Sequence, residues 1–298
     1  MHQPAGKRRE DDLLVSFKRV AKALLEKAID PELDARIARI QANLNEYGVD
    51  PWGFDPRYLR WALPFGAFFY YRYFRVETVG IRNVPEGRVL LIANHSGQIP
   101  VDGALIVLSM LFEAEPPRMV RSMVETWVPT LPFVSYFFPR TGQIVGTRDN
   151  CRRLLERDEI ILAFPEGVRG ISKPFPKRYQ LERFGLGFMR LALMTGAPIV
   201  PTAVVGAEEQ IPTIMDFKPL AKALGMPSFP VTPFFPWLGP LGIMPLPVKI
   251  RIYYGRPMYF EGDPDDDDEV LLPKVQKVRR TIQRMIRDGL KVRKGIFW

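Results

Sequence analysis

RVLLIANHSGQIPVDG, residues 88–103, begins as an unbroken apolar run and turns polar within one step at Asn94-His95-Ser96. An apolar run of this length reads as a strand buried on both faces. The residues after it, 103–113, read as a helix. The same texture returns downstream: 119–124, 160–164 (IILAF), 198–205 and 248–254 read as strands, and 149–158 and 184–195 as helices. Strands alternating with helices predict an α/β domain with a largely parallel central sheet flanked by helices. Function in such a sheet gathers at the loops leaving the carboxyl ends of the strands.

Three such loops carry chemistry. The first places His95 directly after its strand, and the chain has only one other histidine, His2. A neutral imidazole suits general-base work near neutral pH. Such a base usually needs an acid on its other ring nitrogen, and Asp102 is the next acid in sequence. Asp102 as a plain helix cap and His95 as a satisfied loop residue remain open beside that reading, and capping is compatible with orienting a histidine. The second loop, Phe164-Pro165-Glu166-Gly167-Val168-Arg169-Gly170-Ile171-Ser172-Lys173, offers glycines for close backbone approach, and Arg169 or Lys173 to pair with a phosphate. The third, Gly146-Thr147-Arg148-Asp149-Asn150, opens a helix with an arginine, a phosphate-friendly arrangement.

Together, Asn94-His95 with Asp102, the Gly146–150 block, the Phe164–170 block and Val200-Pro201-Thr202-Ala203-Val204-Val205-Gly206 resemble, in that order, four blocks of the glycerolipid/lysophospholipid acyltransferase family. These enzymes are similar to 1-acylglycerol-3-phosphate acyltransferase, and the likeness is nearest to the monoacylglycerol and diacylglycerol acyltransferase-like branch. It covers about 76–260. Two departures stand out in this HxxxxD-like motif: six residues separate His95 from Asp102 where the family has four, and Gly170 stands where many members have Ser.

The resemblance implies an O-acyltransferase of lipid metabolism, acting on a glycerolipid or lysophospholipid. Acyl-CoA or an acyl-carrier protein would be co-substrate, with no metal or other cofactor. His95 would deprotonate the acceptor hydroxyl and Asp102 would support it, without an acyl-enzyme. Glu166, Gly167 and Arg169 would bind the acceptor, Arg148 would be a second phosphate ligand, and the Val-Pro block would help hold the acyl donor.

Composition narrows the alternatives. One cysteine and two histidines cannot furnish a Cys/His zinc site, and one cysteine forms no intrachain disulfide. Cys151 reads as a helix residue rather than a nucleophile. No Gly-x-Ser-x-Gly elbow points to a serine hydrolase. The net charge of +9 attracts any polyanion, but no nucleic-acid motif accompanies it, so no nucleic-acid partner is expected. A non-catalytic lipid-binding or membrane-scaffold protein that keeps the fold is the alternative, motivated by the altered His–Asp spacing.

The charge has two addresses. Residues 57–75 hold four arginines, no acid and nine aromatics; 274–294 hold nine basic residues against one acid, Asp288, in a helix expected over 266–290 with Val275, Val278, Ile282 and Ile286 on one face. Aromatics with cationic flanks suit a headgroup layer, though a helix buried on the domain would read similarly. The basic helix suits either an anionic bilayer or plain solvent.

Residues 223–248 carry no charge and seven prolines, which exclude a spanning helix. This loop could cover a pocket, dip into lipid or wrap the core. At the amino end, 12–47 read as an amphipathic helical hairpin, its second helix capped by Asp30, opened by Pro31, striped by Leu33, Ile37, Ile40 and Leu44, and ended by Gly48. No secretory signal is visible. The expected organisation is an N-terminal helical, membrane-associating region (1–75), an acyltransferase domain (76–262) and a C-terminal helix on or beside it (263–298). The expected location is the cytoplasmic face of a membrane, with membrane lipid and an acyl donor as partners.

Overall fold

A computed structural model describes residues 31–298 except 41, 97–100, 132, 172, 174, 218, 220–229 and 236. The five runs read as strands become β2 (Val89–Ala93), β3 (Val120–Val124), β5 (Ile160–Ala163), β6 (Ile199–Val205) and β7 (Arg251–Tyr254), and two short strands not expected, β1 (Glu77–Val79) and β4 (Ile144–Val145), complete one sheet of spatial order β1-β7-β6-β2-β5-β3-β4. Five neighbouring strands, β6, β2, β5, β3 and β4, run parallel. The β6–β7 pairing is antiparallel, and β1 pairs parallel with β7. β2 and β6 are buried along their whole length, as expected of strands covered on both faces. The largely parallel sheet of an α/β fold is therefore present. The reversed edge is an addition that apolar runs alone do not encode.

Alternation along β2 separates two cores. Val89, Leu91 and Ala93 face a layer built from α2 (Pro56–Ala67), a π-helical turn (Phe68–Tyr73) and α3 (Val101–Phe112). Leu90 and Ile92 face a layer containing α5 (Arg148–Glu156), α7 (Gly187–Thr195) and α8 (Asp268–Val292). In α8, Leu271, Val275, Val278, Ile282 and Ile286 recur at helical spacing and are fully buried. At roughly 1.5 kcal/mol or more each, they hold the helix on β6. Its apolar stripe is thus spent on the sheet, and Lys277, Arg280, Arg284, Arg287 and Lys291 form the outer face.

The segment 56–74 has one face buried on the domain and one left exposed. Leu59, Leu63, Tyr70 and Phe74 are buried in the first core, while Trp61, Phe65, Phe68 and Tyr71 stay 43–69% exposed. Residues 42–55 are pinned beneath by Arg121, a fully buried guanidinium that pairs with Asp50 and Glu159 and lies over the Phe54 ring.

At the amino end, the first hairpin helix and Asp30 lie outside the described residues. The second helix, α1 (Pro31–Ala38), stops well short of Gly48. Arg39 and Ile40 already close tighter i→i−3 bonds, and the Asn45 carboxamide accepts from the amides of Tyr47 and Val49. A side chain offering the backbone such local bonds favours a turn over a helix. In the proline-rich loop, 223–229 and Pro236 lie outside the described residues, but Phe234, Trp237, Leu238, Leu241 and Met244 are exposed, so this part does not wrap the core.

Candidate active site

β2 delivers Asn94, His95 and Ser96 to the carboxyl edge of the sheet. The Asn94 carboxamide extends the ladder sideways: its Nδ2 donates to Val204 O (3.1 Å), and its Oδ1 accepts from Val204 N–H (2.8 Å). The loop stem is thereby stitched to β6. His95 stacks on Phe164, the residue after β5, with ring centroids 4.1 Å apart and planes inclined by 18°.

Asp102 meets His95 despite the longer spacing, with Oδ2 2.8 Å from His95 Nδ1. It lies in the first turn of α3, which begins at Val101 rather than at Gly103, so it is not the helix cap. Its carboxylate is completely buried. Oδ2 also accepts from Ser96 N–H (2.7 Å) and Ser96 Oγ–H (3.2 Å), and Oδ1 accepts from Gly103 N–H (2.8 Å). A carboxylate surrounded by donors is an acceptor only, so the proton shared with His95 belongs to Nδ1. Nε2 is left with its lone pair free, the form a general base requires.

The second block approaches from β5, the parallel neighbour of β2. Gly167 adopts φ +58°, a left-handed conformation that lets the chain turn sharply after Glu166. The Glu166 carboxylate is turned inward. Its Oε1 accepts from His95 N–H (3.0 Å), and its Oε2 accepts from Glu182 N–H (2.7 Å). Both oxygens of a buried group are therefore occupied by this chain, and Glu166 braces the histidine rather than reaching out to an acceptor molecule. Gly170 explains its own departure from the family pattern: a Cβ there would come within 2.9 Å of the Cβ atoms of both His95 and Glu166, so serine does not fit unless they move.

The three cations singled out in the sequence part company. Arg169 is exposed beside the Glu166–Gly167 turn, making one hydrogen bond to Arg183 O (3.2 Å), and stays free to meet an anion. Arg148 follows β4, with β3 and β5 between it and β2, about 14 Å across at ~4.8 Å per strand. Its guanidinium lies exposed, 3.5 Å from Asp265, and is not brought to His95. Lys173, expected from the sequence to pair with a phosphate, is engaged within the protein. Its ammonium is buried between Glu166 (3.4 Å) and Glu208 (3.3 Å), and an incoming phosphate would have to displace both. Burial pushes the Glu208 carboxyl up to about 7, with the Lys173 charge pulling the other way.

The Val-Pro block is the buried strand β6 itself, seven residues without an exposed side chain. Cys151 is buried in α5 with its thiol pushed up to about 11 by desolvation, which suits a helix residue and not a nucleophile. Among the described residues, no group of three His, Cys, Asp or Glu side chains is arranged to hold a metal ion. Asn94, Ser96 and Phe164 were not given roles of their own in the sequence, although each lies within a quoted motif. Glu208 had the weaker signal of standing just past a strand's carboxyl end.

Comparison with known proteins follows the same residues. The family model described as Acyltransferase matches residues 75–205. An uncharacterized protein of Mycobacterium leprae is 41% identical over 259 residues, 85% of this chain and 71% of that protein. A probable 1-acyl-sn-glycerol-3-phosphate acyltransferase of Mycoplasma pneumoniae is 26% identical over 149 residues, 47% of this chain and 53% of its own length. The solved 1-acyl-sn-glycerophosphate (LPA) acyltransferase PlsC of Thermotoga maritima aligns with a TM-score of 0.48 at 18% identity, over 74% of this chain and 73% of that one.

Proposed function

The chain belongs to the acyltransferase family, and from that premise we propose that it moves a fatty acyl group from acyl-CoA or an acyl-carrier protein to a hydroxyl of a glycerolipid or lysophospholipid. The observation that carries the reading is the closed His95–Asp102 pair, 2.8 Å apart at the carboxyl edge of the sheet. His95 Nε2 takes the acceptor's hydroxyl proton while Nδ1–H donates to Asp102. The oxygen attacks the thioester carbonyl, the C–S bond breaks, and the leaving thiolate collects the proton from Nε2. Asp102 supports the transient imidazolium without itself taking the proton. Exposed Arg169 is the group placed to hold a phosphorylated acceptor.

The decisive assay offers one labelled acyl-CoA to a panel of lysophospholipids and acylglycerols and reads the products by mass spectrometry. A labelled glycerolipid or lysophospholipid product is expected; thioester intact with every acceptor would overturn the reading. Arg169→Ala should raise the Michaelis constant for a phosphorylated acceptor by about tenfold or more, the worth of one charge-assisted hydrogen bond. An unchanged constant would shift the acceptor to a neutral acylglycerol.

We infer that the reaction takes place at the cytoplasmic face of a membrane, with the protein peripheral or monotopic. Among the described residues no helix is long and apolar enough to cross a bilayer. The reading rests on the ridge of Trp61, Phe65, Phe68 and Tyr71, exposed beside Arg57, Arg60 and Arg72, since such rings gain by entering the headgroup boundary. Replacing Trp61, Phe65 and Phe68 together with serine should weaken co-sedimentation with anionic vesicles by about a hundredfold, at ~1 kcal/mol for each half-exposed ring. Unaltered binding would remove the ridge from the contact.

A further inference from the structure

Behind the histidine lies a buried ion cluster that the proton-transfer chemistry does not use. Lys173 Nζ stands 3.4 Å from Glu166 Oε2 and 3.3 Å from Glu208 Oε1, and it donates to Gln180 O at 3.2 Å. All three charged side chains are at least nineteen-twentieths buried. Glu208 is itself held: its Oε2 accepts from Tyr179 N–H (2.9 Å), and it belongs to the single 3-10 turn Ala207–Glu209 that leaves β6. The adjoining Glu209 receives both arms of Arg293, just beyond α8, at 2.6 Å each. The cluster therefore runs without a break from the end of α8 and the exit of β6 to Glu166, whose Oε1 accepts the backbone N–H of His95.

A buried carboxylate left without a counter-charge takes up a proton or rotates toward water. Rotation of Glu166 would release the His95 amide and protonation would weaken its bond to the carboxyl, and either lets the imidazole drift from Asp102. Oε2 is held on the far side by Glu182 N–H (2.7 Å) and by the Lys173 charge 3.4 Å away, so that Oε1 faces the histidine. We propose that Lys173 is a positioning residue for His95, acting through Glu166 and anchored in turn by Glu208. This rests on His95 being the base, as above.

The test uses the full-length chain with Lys173→Met and the double variant Lys173→Met/Glu208→Gln. The single variant leaves two buried carboxylates facing each other and is expected to lower the melting temperature. The double variant removes one charge of each sign, restores the cluster's net charge and should recover most of that loss. If Lys173 positions His95, the double variant keeps kcat depressed at least tenfold with Michaelis constants within about twofold of the parent, and its His95 amide exchanges with solvent faster than in the parent.

Recovery of kcat along with the melting temperature would overturn the proposal, as would an unchanged His95 amide. A double variant that no longer folds would overturn it too, because a contact needed only for positioning is dispensable to the fold. If the parent chain transfers no acyl group at all, the functional reading fails, while the amide exchange still decides whether Lys173 holds His95 in place.

Discussion

His95→Ala should lower acyl transfer by about a thousandfold or more and leave the chain folded. General-base catalysis contributes on the order of 10²–10⁴ in rate, and nothing else at this edge of the sheet offers a neutral nitrogen base: among the described residues His95 is the sole histidine. Among the described residues the fold asks little of its side chain, which makes a hydrogen bond to Asp102 and a stack on Phe164. The contact that ties this position to the second block runs through the backbone N–H to Glu166, which alanine keeps. Product formation measured by mass spectrometry, alongside a melting curve, separates the two effects. Activity within tenfold of the parent in a protein of unchanged melting temperature would refute His95 as the base.

Asp102→Asn should cost both rate and stability, because the carboxylate has no spare acceptor side. Oδ2 takes Ser96 N–H, Ser96 Oγ–H and His95 Nδ1–H, and Oδ1 takes Gly103 N–H, all within a site of zero exposure. An asparagine must set its NH2 against one of these groups of donors. Facing Gly103 it leaves a buried amide unsatisfied, at about 1–3 kcal/mol. Facing His95 it also forces the opposite tautomer, placing the hydrogen on Nε2 where the lone pair is needed. A fall in kcat on the order of a hundredfold to ten-thousandfold is expected, with a melting temperature several degrees lower. If kcat holds while stability drops, Asp102 is only a brace for the loop.

These results would also weigh the two functional readings against each other. A non-catalytic scaffold drew its support from the six residues between His95 and Asp102, yet the pair closes to 2.8 Å. What matters for the chemistry is that Asp102, in the first turn of α3, presents its carboxylate to the residue leaving β2.

Most of the fold's skeleton was legible because it depends on local signals. Runs of four to seven mainly apolar residues between polar loops mark β2, β5 and β6, since strands buried on both faces cannot alternate, whereas β3 shows only Val120, Met123 and Val124 around Arg121 and Ser122. β1 and β4, three and two residues long, were not legible. Such short strands exist only through the ladder partner that another part of the chain supplies. The antiparallel direction of β7 against β6 was hidden for the same reason, and the early end of α1 turned on local bonds to Asn45. Within the site, His95, Asp102 and the Glu166–Gly167–Arg169 turn could be read because each stands at or next to the end of a recognisable element.

The sequence by itself determined the layered α/β arrangement and the loops that carry chemistry, because apolar periodicity and chain order are local and survive without contacts. Tertiary structure alone decided what each charge does. Arg169, Arg148 and Lys173 are equivalent cations on paper; packing leaves the first exposed after the Glu166–Gly167 turn, sets the second three strands away against Asp265, and buries the third between two carboxylates. Charge is a property of the residue, whereas the choice between binding a ligand and bracing a neighbour depends on which opposite charges the fold brings within reach and on whether water can still compete for them.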